Sequence, residues 1–420
     1  MNEVNLLESL GQVSSSQTGQ VLRDFLRGQV RQMICEVMAA EVTEICGPKH
    51  HPSSHDHFRA GTSVGRVLVE GEREKVVRPR VRQRASDGSS REIELASYKA
   101  AKDPQQLQTQ IVQAIVSGVS SRAIEENHPK SPGVKRSSVS RLWQEAGKKF
   151  VEQLRSKDLG AITWCALMLD GIRLSKEQTA VVALGIDAKG NKHVLDFVLG
   201  SSESLEIARE LMGRIVNRGF QCQQRLYVVL DGSDALRAAV KEFFSDSVIQ
   251  RCLVHKERNI KGKLSKRHWG ELSRLFTRLR RVQGLDAAEE VLGELKSFLE
   301  PINSEAFKSL QEAGEDLLAL HRLNVPNTLH RSLLSTNAIE NSFLNTRRKI
   351  GRVTRFRAET DQASRWLSYA LLEAEKGFRR ILGHADLRTL ISALGKSKSS
   401  PAKKFPAGLT EENLLEEENH

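Results

Sequence analysis

The sequence predicts an α/β protein. Its core is a three-stranded antiparallel meander continued by strand–helix crossovers, followed by a long all-helical stretch and preceded by a helical region. Three observations carry this reading. From Trp164 onward, short apolar runs rich in β-branched residues alternate with turn signals. Between His255 and Thr336 only helical periodicity recurs. Upstream, helical stripes flank a single basic β segment.

The 420 residues exceed what one hydrophobic core usually serves, so several domains are expected. With 39% hydrophobic and 28% charged residues, the composition excludes wholesale disorder. A net charge of +12 and a pI near 9.5 call for a polyanionic partner. Nucleic acid is the foremost candidate, although ribosome-associated and membrane-surface proteins share such a charge. The five cysteines, Cys35, Cys46, Cys165, Cys222 and Cys252, are odd in number and scattered, unlike a disulfide framework. Met1 to Ser16 carries Glu3 and Glu8 and no apolar core of signal-peptide length. No run approaches a membrane span, so a soluble cytoplasmic protein with no membrane partner is expected.

The elements follow in order. From Gln20 to Ile45 an amphipathic helix carries Leu22, Phe25, Leu26, Val30, Met33, Ile34, Val37 and Met38, a stripe expected to pack within its own domain rather than form a dimer contact. Pro48 to Gly65, with His50, His51, His55 and His57, reads as a polar loop, because that spacing suits no standard zinc site. Gly65 to Val81 alternates weakly and, with the residues after it, is crowded with Arg73, Arg78, Arg80, Arg82 and Arg84; a phosphate contact and a solvated hairpin suit it equally. Gln106 to Phe150 reads as helix, turn, helix and a last helix. Gly118 breaks the first, and a loop with Pro129, Pro132 and Gly133 precedes the third. On that third helix Val139, Leu142 and Trp143 face inward while Arg141 and Gln144 take other faces, as a major-groove recognition helix requires; any three-helix bundle would look similar.

In the core, Trp164 to Leu169, Thr179 to Ile186 and His193 to Val198 are the meander, with Asp187 to Asn191 as a hairpin turn. Glu203 to Asn217 is a helix, Arg225 to Leu230 the fourth strand, Ala235 to Phe244 a helix, and Val248 to Cys252 a fifth strand entering a helix near His255. This order is that of an RNase H-like domain, in which right-handed crossovers bring strand four beside strand one. Leu169-Asp170-Gly171 and Leu230-Asp231-Gly232 should therefore emerge at one edge, each Gly letting a phosphate backbone approach. Any single Asp-Gly after a strand is ordinary turn chemistry; two at corresponding strand ends are not. Adjacent carboxylates repel unless cations compensate them. Hard oxygen donors suit Mg²⁺ (or Mn²⁺), and two such ions can serve an in-line phosphoryl transfer.

These residues resemble the Mutator-type transposases of bacterial insertion sequences. The resemblance rests on Leu169-Asp170-Gly171, on Leu230-Asp231-Gly232-Ser233, on Gln250-Arg251-Cys252-Leu253-Val254-His255-Lys256 with Arg258-Asn259, and on Ser335-Thr336-Asn337-Ala338-Ile339-Glu340-Asn341-Ser342-Phe343. It implies that Asp170, Asp231 and Glu340 form an acidic triad binding two divalent metals, and that a largely helical insertion separates Asp231 from Glu340. Asn337 to Lys349 reads as a helix, with Glu340 near its start and Arg347, Arg348 and Lys349 about two turns later as DNA-contacting cations. The sequence departs from the family pattern at Asn341, where Ser is commoner, and in Gly351 to Phe356.

Cys252 and His255 have the spacing of half a zinc site, but no partner pair follows, so they are expected to support the active site. Trp269, beside Lys266, Arg267 and His268, suits stacking on an unpaired base, though buried tryptophans are commoner. The final helix spans Glu359 to Leu382, and the tail from Gly395 reads as disordered. The expected organisation is an N-terminal helical region (1–46), a polar loop and basic β segment (47–103), and a helix-turn-helix-like DNA-binding domain (104–158). A catalytic core split into 159–256 and 335–394 surrounds the helical insertion (257–334), and the tail is 395–420. The implied function is binding of terminal inverted repeats on double-stranded DNA, with metal-dependent cleavage and strand transfer by a nucleoid-associated homodimer or larger assembly. The alternatives are a structure-specific nuclease and a non-catalytic DNA-binding regulator.

Overall fold

The computed structural model describes residues 15–127, 131–202, 204–351, 353, 355–357 and 360–397. They fall into two compact units that divide between Trp143 and Gln144.

The first unit opens with a long helix, α1 (Ser15–Cys46), followed by β1 (His57–Val69), β2 (Glu72–Arg84), β3 (Ser90–Ile93) and α2 (Ala96–Lys102). The three strands form an antiparallel sheet in chain order. Glu70 and Gly71 turn the β1–β2 hairpin with φ of 49° and 79°, the doubly left-handed backbone that matches strand twist in a two-residue loop. Met38, Val42 and Cys46 on α1 pack against Val67, Val69, Val76, Val81 and Leu95. The apolar packing of α1 on this small sheet is confined to its C-terminal part, from Ile34 on, while Arg27 reaches β2 through Glu72 and Glu74. Leu22, Leu26, Val30, Met33 and Val37 remain exposed, so the expectation that the whole stripe packs within its own domain holds only for its end.

Further along come α3 (Gln105–Val116), α4 (Ser121–Asn127) and α5 (Arg136–Arg155). Ile111, Ile124, Val134 and Val139 bring them together around a small apolar core. Pro129, assigned to the loop before α5, lies outside the described residues.

The second unit is built on a five-stranded sheet of β4 (Trp164–Arg173), β5 (Thr179–Asp187), β6 (Lys192–Gly200), β7 (Tyr227–Leu230) and β8 (Val248–Arg251), in the order β6-β5-β4-β7-β8. The β4–β5 and β5–β6 pairs are antiparallel, while β4–β7 and β7–β8 are parallel. Both parallel connections are helical, as parallel strands require: α6 (Leu205–Asn217) and α7 (Asp234–Phe243). Ser204 and Ser233 cap them, each hydroxyl accepting a backbone N–H three residues on. Their faces, Leu211, Met212, Ile215, Leu236, Ala239 and Val240, are buried against Leu167, Leu169, Val228 and Leu230.

After β8 the chain is helical through α8 (Leu253–Lys261), α9 (Trp269–Arg281), α10 (Leu285–Leu299), α11 (Ser304–Ala313), α12 (Ala319–Arg322) and α13 (His330–Leu333). Buried Gln250 ties this segment to the sheet: its amide donates to Leu317 O and accepts from Leu320 N, both at 2.9 Å. Lys256, also buried, donates to Ser309 O at 2.8 Å. Then follow α14 (Asn337–Ile350), α15 (Gln362–Glu375) and α16 (Leu387–Leu394). Glu375 anchors α15 to β6, accepting from Val194 N at 2.9 Å while pairing with Lys157 at 2.6 Å.

Two expectations are corrected here. The final helix does not reach Leu382, since the chain turns after α15 and Ile381 N bonds Gly190 O at 2.9 Å; Glu359 lies outside the described residues. The tail is ordered at its start, because Gly395 to Ser397 pair with Gln223 to Arg225 through backbone hydrogen bonds of 3.0 and 3.1 Å. Residues 398–420 are not described.

Candidate active site

Parallel pairing of β4 with β7 ends at Leu169 opposite Leu230, so Asp170 and Asp231 are the next residue on each strand. The two strands differ in how they go on. β7 stops, whereas β4 continues to Arg173 because β5 still pairs with it, Asp170 opposite Val182 and Gly171 opposite Val181. Asp170 therefore lies inside a strand and not at its end, as the sequence had suggested. Its side chain is buried, at 6% exposure.

Gly232 has a different reason from the one expected. Its φ of 128° disfavours any side chain, and a Cβ there would stand 2.4 Å from the Arg251 guanidinium. Asp231 itself is half-buried and accepts Ser233 N at 3.0 Å.

Glu340 enters from α14, whose start is pinned to the end of β8. Leu253 N donates to Leu334 O at 3.0 Å, and the Cys252 sulfur accepts Thr336 N at 3.3 Å and Thr336 Oγ1 at 3.4 Å. The same sulfur caps α8 by accepting His255 N at 3.4 Å. One turn into that helix, His255 places Nε2 at 3.3 Å from Glu340 Oε1 and Nδ1 at 3.2 Å from Thr336 Oγ1. Arg258, a turn further on, stands 3.7 Å from Glu340 Oε2. One donor atom each of Asp170, His255 and Glu340 lie within 4.8 Å of one another.

Burial raises the Asp170 carboxyl to about 7; Asp231 and Glu340 push it the same way, while His255 and the Gly171 N–H oppose them. The Cys252 side chain and the charges of Asp170 and Glu340 outweigh desolvation and push His255 up to about 9. At Cys252 burial opposes ionisation, but hydrogen bonds from His255 and Thr336 prevail and lower the thiol.

The residues fit a divalent cation. Glu340 Oε1 is buried without a hydrogen-bond partner, and Asp170 is a desolvated carboxyl facing further carboxylate charge. A hard cation would satisfy both. Asp170 and Glu340 would hold it, with Asp231 beside them and His255 against Glu340. The Cys252 sulfur is engaged with backbone and Thr336 and is outside this donor group.

Of the other residues singled out in the sequence, Arg141 and Gln144 are exposed on α5. Trp269 opens α9 at 38% exposure, its indole N–H donating to Lys261 O and Leu264 O at 3.1 and 3.2 Å. Arg347, Arg348 and Lys349 are exposed in the last turn of α14. At about 100° per residue Arg347 returns to the side of Glu340, whereas Lys349 points about half a turn away. Sequence reasoning missed Thr336 and Arg258 as site residues. For Arg258 the signal was present, three residues after His255 on a helix; for Thr336 there was only its place before the acidic helix.

The chain matches the family described as Transposase, Mutator family over residues 1–380. It belongs to that family. It is 27% identical to the transposase for insertion sequence element IS1201 of Lactobacillus helveticus, over 78% of this chain and 89% of that one. It is 26% identical to the transposase for ISRM5 of Rhizobium meliloti, over 76% and 79% respectively. With the transposase for IS256 in Tn4001 of Staphylococcus aureus it shares 28% identity over 59% of this chain and 65% of the relative. Among the described residues, no helix is long and apolar enough to cross a membrane.

Proposed function

We propose that the chain is a DNA transposase that binds terminal inverted repeats and carries out metal-dependent strand cleavage and strand transfer on an RNase H-like core. The carrying observation is the convergence of Asp170, beside Asp231 through strand register, with Glu340 and His255. The sheet order, with parallel β7 and β8 added to the β4 edge of an antiparallel meander, supports the RNase H-like reading, and the helices between Leu253 and Leu333 support an insertion.

Two Mg²⁺ or Mn²⁺ ions held by Asp170, Asp231 and Glu340 would activate an attacking oxygen and stabilise a leaving one. The chain's own work is positioning. β4 and β7 hold two carboxylates in register, α14 brings the third, and His255 fixes its orientation. No covalent protein intermediate is needed, since charge stabilisation and alignment suffice. The helix-turn-helix-like helices α3 to α5, with Arg141 and Gln144, would hold an inverted repeat, and a homodimer or larger assembly would bring two ends together.

The test is cleavage of a duplex bearing one element end, followed by joining of pre-cut ends to target DNA. Asp170→Ala, Asp231→Ala and Glu340→Ala are each expected to abolish both steps while end binding persists. Cleavage by Asp231→Ala at the wild-type rate would defeat the assignment. Cleavage without joining would identify a structure-specific nuclease, and binding with no metal-dependent nicking a regulator.

A further inference from the structure

The β1–β2 hairpin sorts its charges by face. Its register sets Leu68 opposite Arg73, Arg66 opposite Lys75, Val64 opposite Val77 and Thr62 opposite Pro79, so all project from one side. The other side carries Val67, Val69 and Val76, buried against α1 and Leu95. Acidic residues on that inner side are already used: Glu72 and Glu74 pair with Arg27 at 2.6 and 3.0 Å. Glu92 on β3 takes Arg78 and Arg80 at 3.0 and 2.6 Å. On the outer side, among the described residues, Arg66, Arg73 and Lys75 have no ion-pair partner. Between them and the sheet's far end sit Val64 and Val77, 73% and 60% exposed.

The shape is equally specific. β3 pairs β2 only from Val81 to Arg84, so the stretch carrying these residues is a two-stranded ribbon. Where Arg66 and Arg73 lie diagonally across it, a cleft of about 290 Å³ is lined also by Lys102, Pro104 and Pro132. A two-stranded ribbon fits the major groove of B-DNA, about 12 Å wide, and aliphatic side chains there contact thymine methyl groups. A face with cations along it and an exposed aliphatic pair complements a phosphate-walled groove with methyl groups on its floor.

We propose that the outer face of the β1–β2 ribbon is a duplex-DNA contact surface, Arg66, Arg73 and Lys75 binding phosphates and Val64 and Val77 meeting base edges. This rests on the reading of the chain as a DNA enzyme and assigns it a DNA-binding element besides the helices α3 to α5.

The experiment measures affinity of the full chain for two labelled duplexes, the element's own terminal sequence and a scrambled one of equal composition, between about 50 and 200 mM salt. Each phosphate contact contributes about 0.9 to the slope of log affinity against log salt, so R66A/R73A/K75A is expected to lower that slope by up to about 2.7 on both duplexes. Single variants Arg66→Gln and Lys75→Gln lower it by about 0.9 each, and Arg66→Lys with Arg73→Lys restores it. Val77→Ser is expected to narrow the preference for the terminal sequence with little change in slope. Wild-type affinity and slope in the triple and both single variants would overturn the ribbon assignment. So would loss confined to an acidic protein ligand while duplex binding stayed intact. Failure of the wild-type chain to bind any duplex would instead overturn the reading on which this one rests.

Discussion

The His255 imidazole stands between two elements of the site, Nε2 at 3.3 Å from Glu340 Oε1 and Nδ1 at 3.2 Å from the Thr336 hydroxyl. It thereby ties the Glu340 carboxylate to the residue that precedes its helix. Removing a group that orients a metal ligand typically costs about 10- to 100-fold in metal affinity or activity. His255→Ala is expected to lose cleavage activity in that range and to need more Mg²⁺ for half-maximal rate. A metal titration in which the variant and the wild type superimpose would remove this role from His255.

The Asp170 carboxyl, raised to about 7 by burial and by its acidic neighbours, makes the metal-free protein sensitive to pH. An unfolded aspartate ionises near ~3.9. Between about pH 4 and 7 the folded chain therefore keeps a proton that the unfolded chain has lost, and stability falls as pH rises. His255, pushed up to about 9 from an ordinary value near 6.5, acts in the same direction over its own window: the stability it contributes is lost as pH climbs through 9. A divalent cation bound at Asp170 would compete with its proton, so Mg²⁺ should raise the melting temperature more at pH 8 than at pH 6. Thermal melts with and without chelator are the check; Asp170→Asn should lose the pH difference, and a variant keeping it would contradict the account.

Gly232 is constrained twice, by a φ of 128° and by the Arg251 guanidinium, which a Cβ would meet at 2.4 Å. Gly232→Ala is expected to cost about 1–3 kcal/mol of stability. It should also slow cleavage more than that loss explains, because Asp231 precedes the distorted residue. Denaturant unfolding together with rates measured well below the transition separates the two effects.

On α14, Arg347 lies along the same side as Glu340 and Lys349 about half a turn away. Arg347→Ala should therefore reduce the salt slope of DNA binding by about 1, and Lys349→Ala by clearly less. Equal losses would mean that the helix meets DNA end-on, at its exposed C-terminal turn.

What the sequence disclosed and what it concealed follow from the range of the interactions. The neighbouring positions of Asp170 and Asp231 were legible, because Trp164 to Leu169 and Tyr227 to Leu230 are apolar runs and crossover topology brings such strands together. The extension of β4 through Arg173 was not, since it depends on cross-strand pairing with β5 and leaves no periodic mark in Gly171-Ile172-Arg173. The pairing of Gly395 to Ser397 with Gln223 to Arg225 was hidden for a like reason: it is made by backbone groups that any side chains would allow. The stripe on α1 showed which side is apolar but not how far the small sheet extends beneath it. Glu340 was legible as a residue near the start of a helix, but its approach to Asp170 spans a long insertion and came only from family resemblance.

The bond from Leu253 N to Leu334 O, with Thr336 held by Cys252, closes the helical segment at its base. The chain departs from the sheet and comes back to it at adjoining residues. The positions of Asp170, Asp231 and Glu340 are therefore indifferent to the route taken in between, much as a clasp is indifferent to the length of the strap. Closing a longer loop costs little more than closing a shorter one, so residues can be gained or lost in the turns between these helices without moving Glu340. A backbone cut at Gly284, between α9 and α10, would yield two fragments that remain fastened on both sides of the break, one contributing Asp170 and Asp231 and the other Glu340.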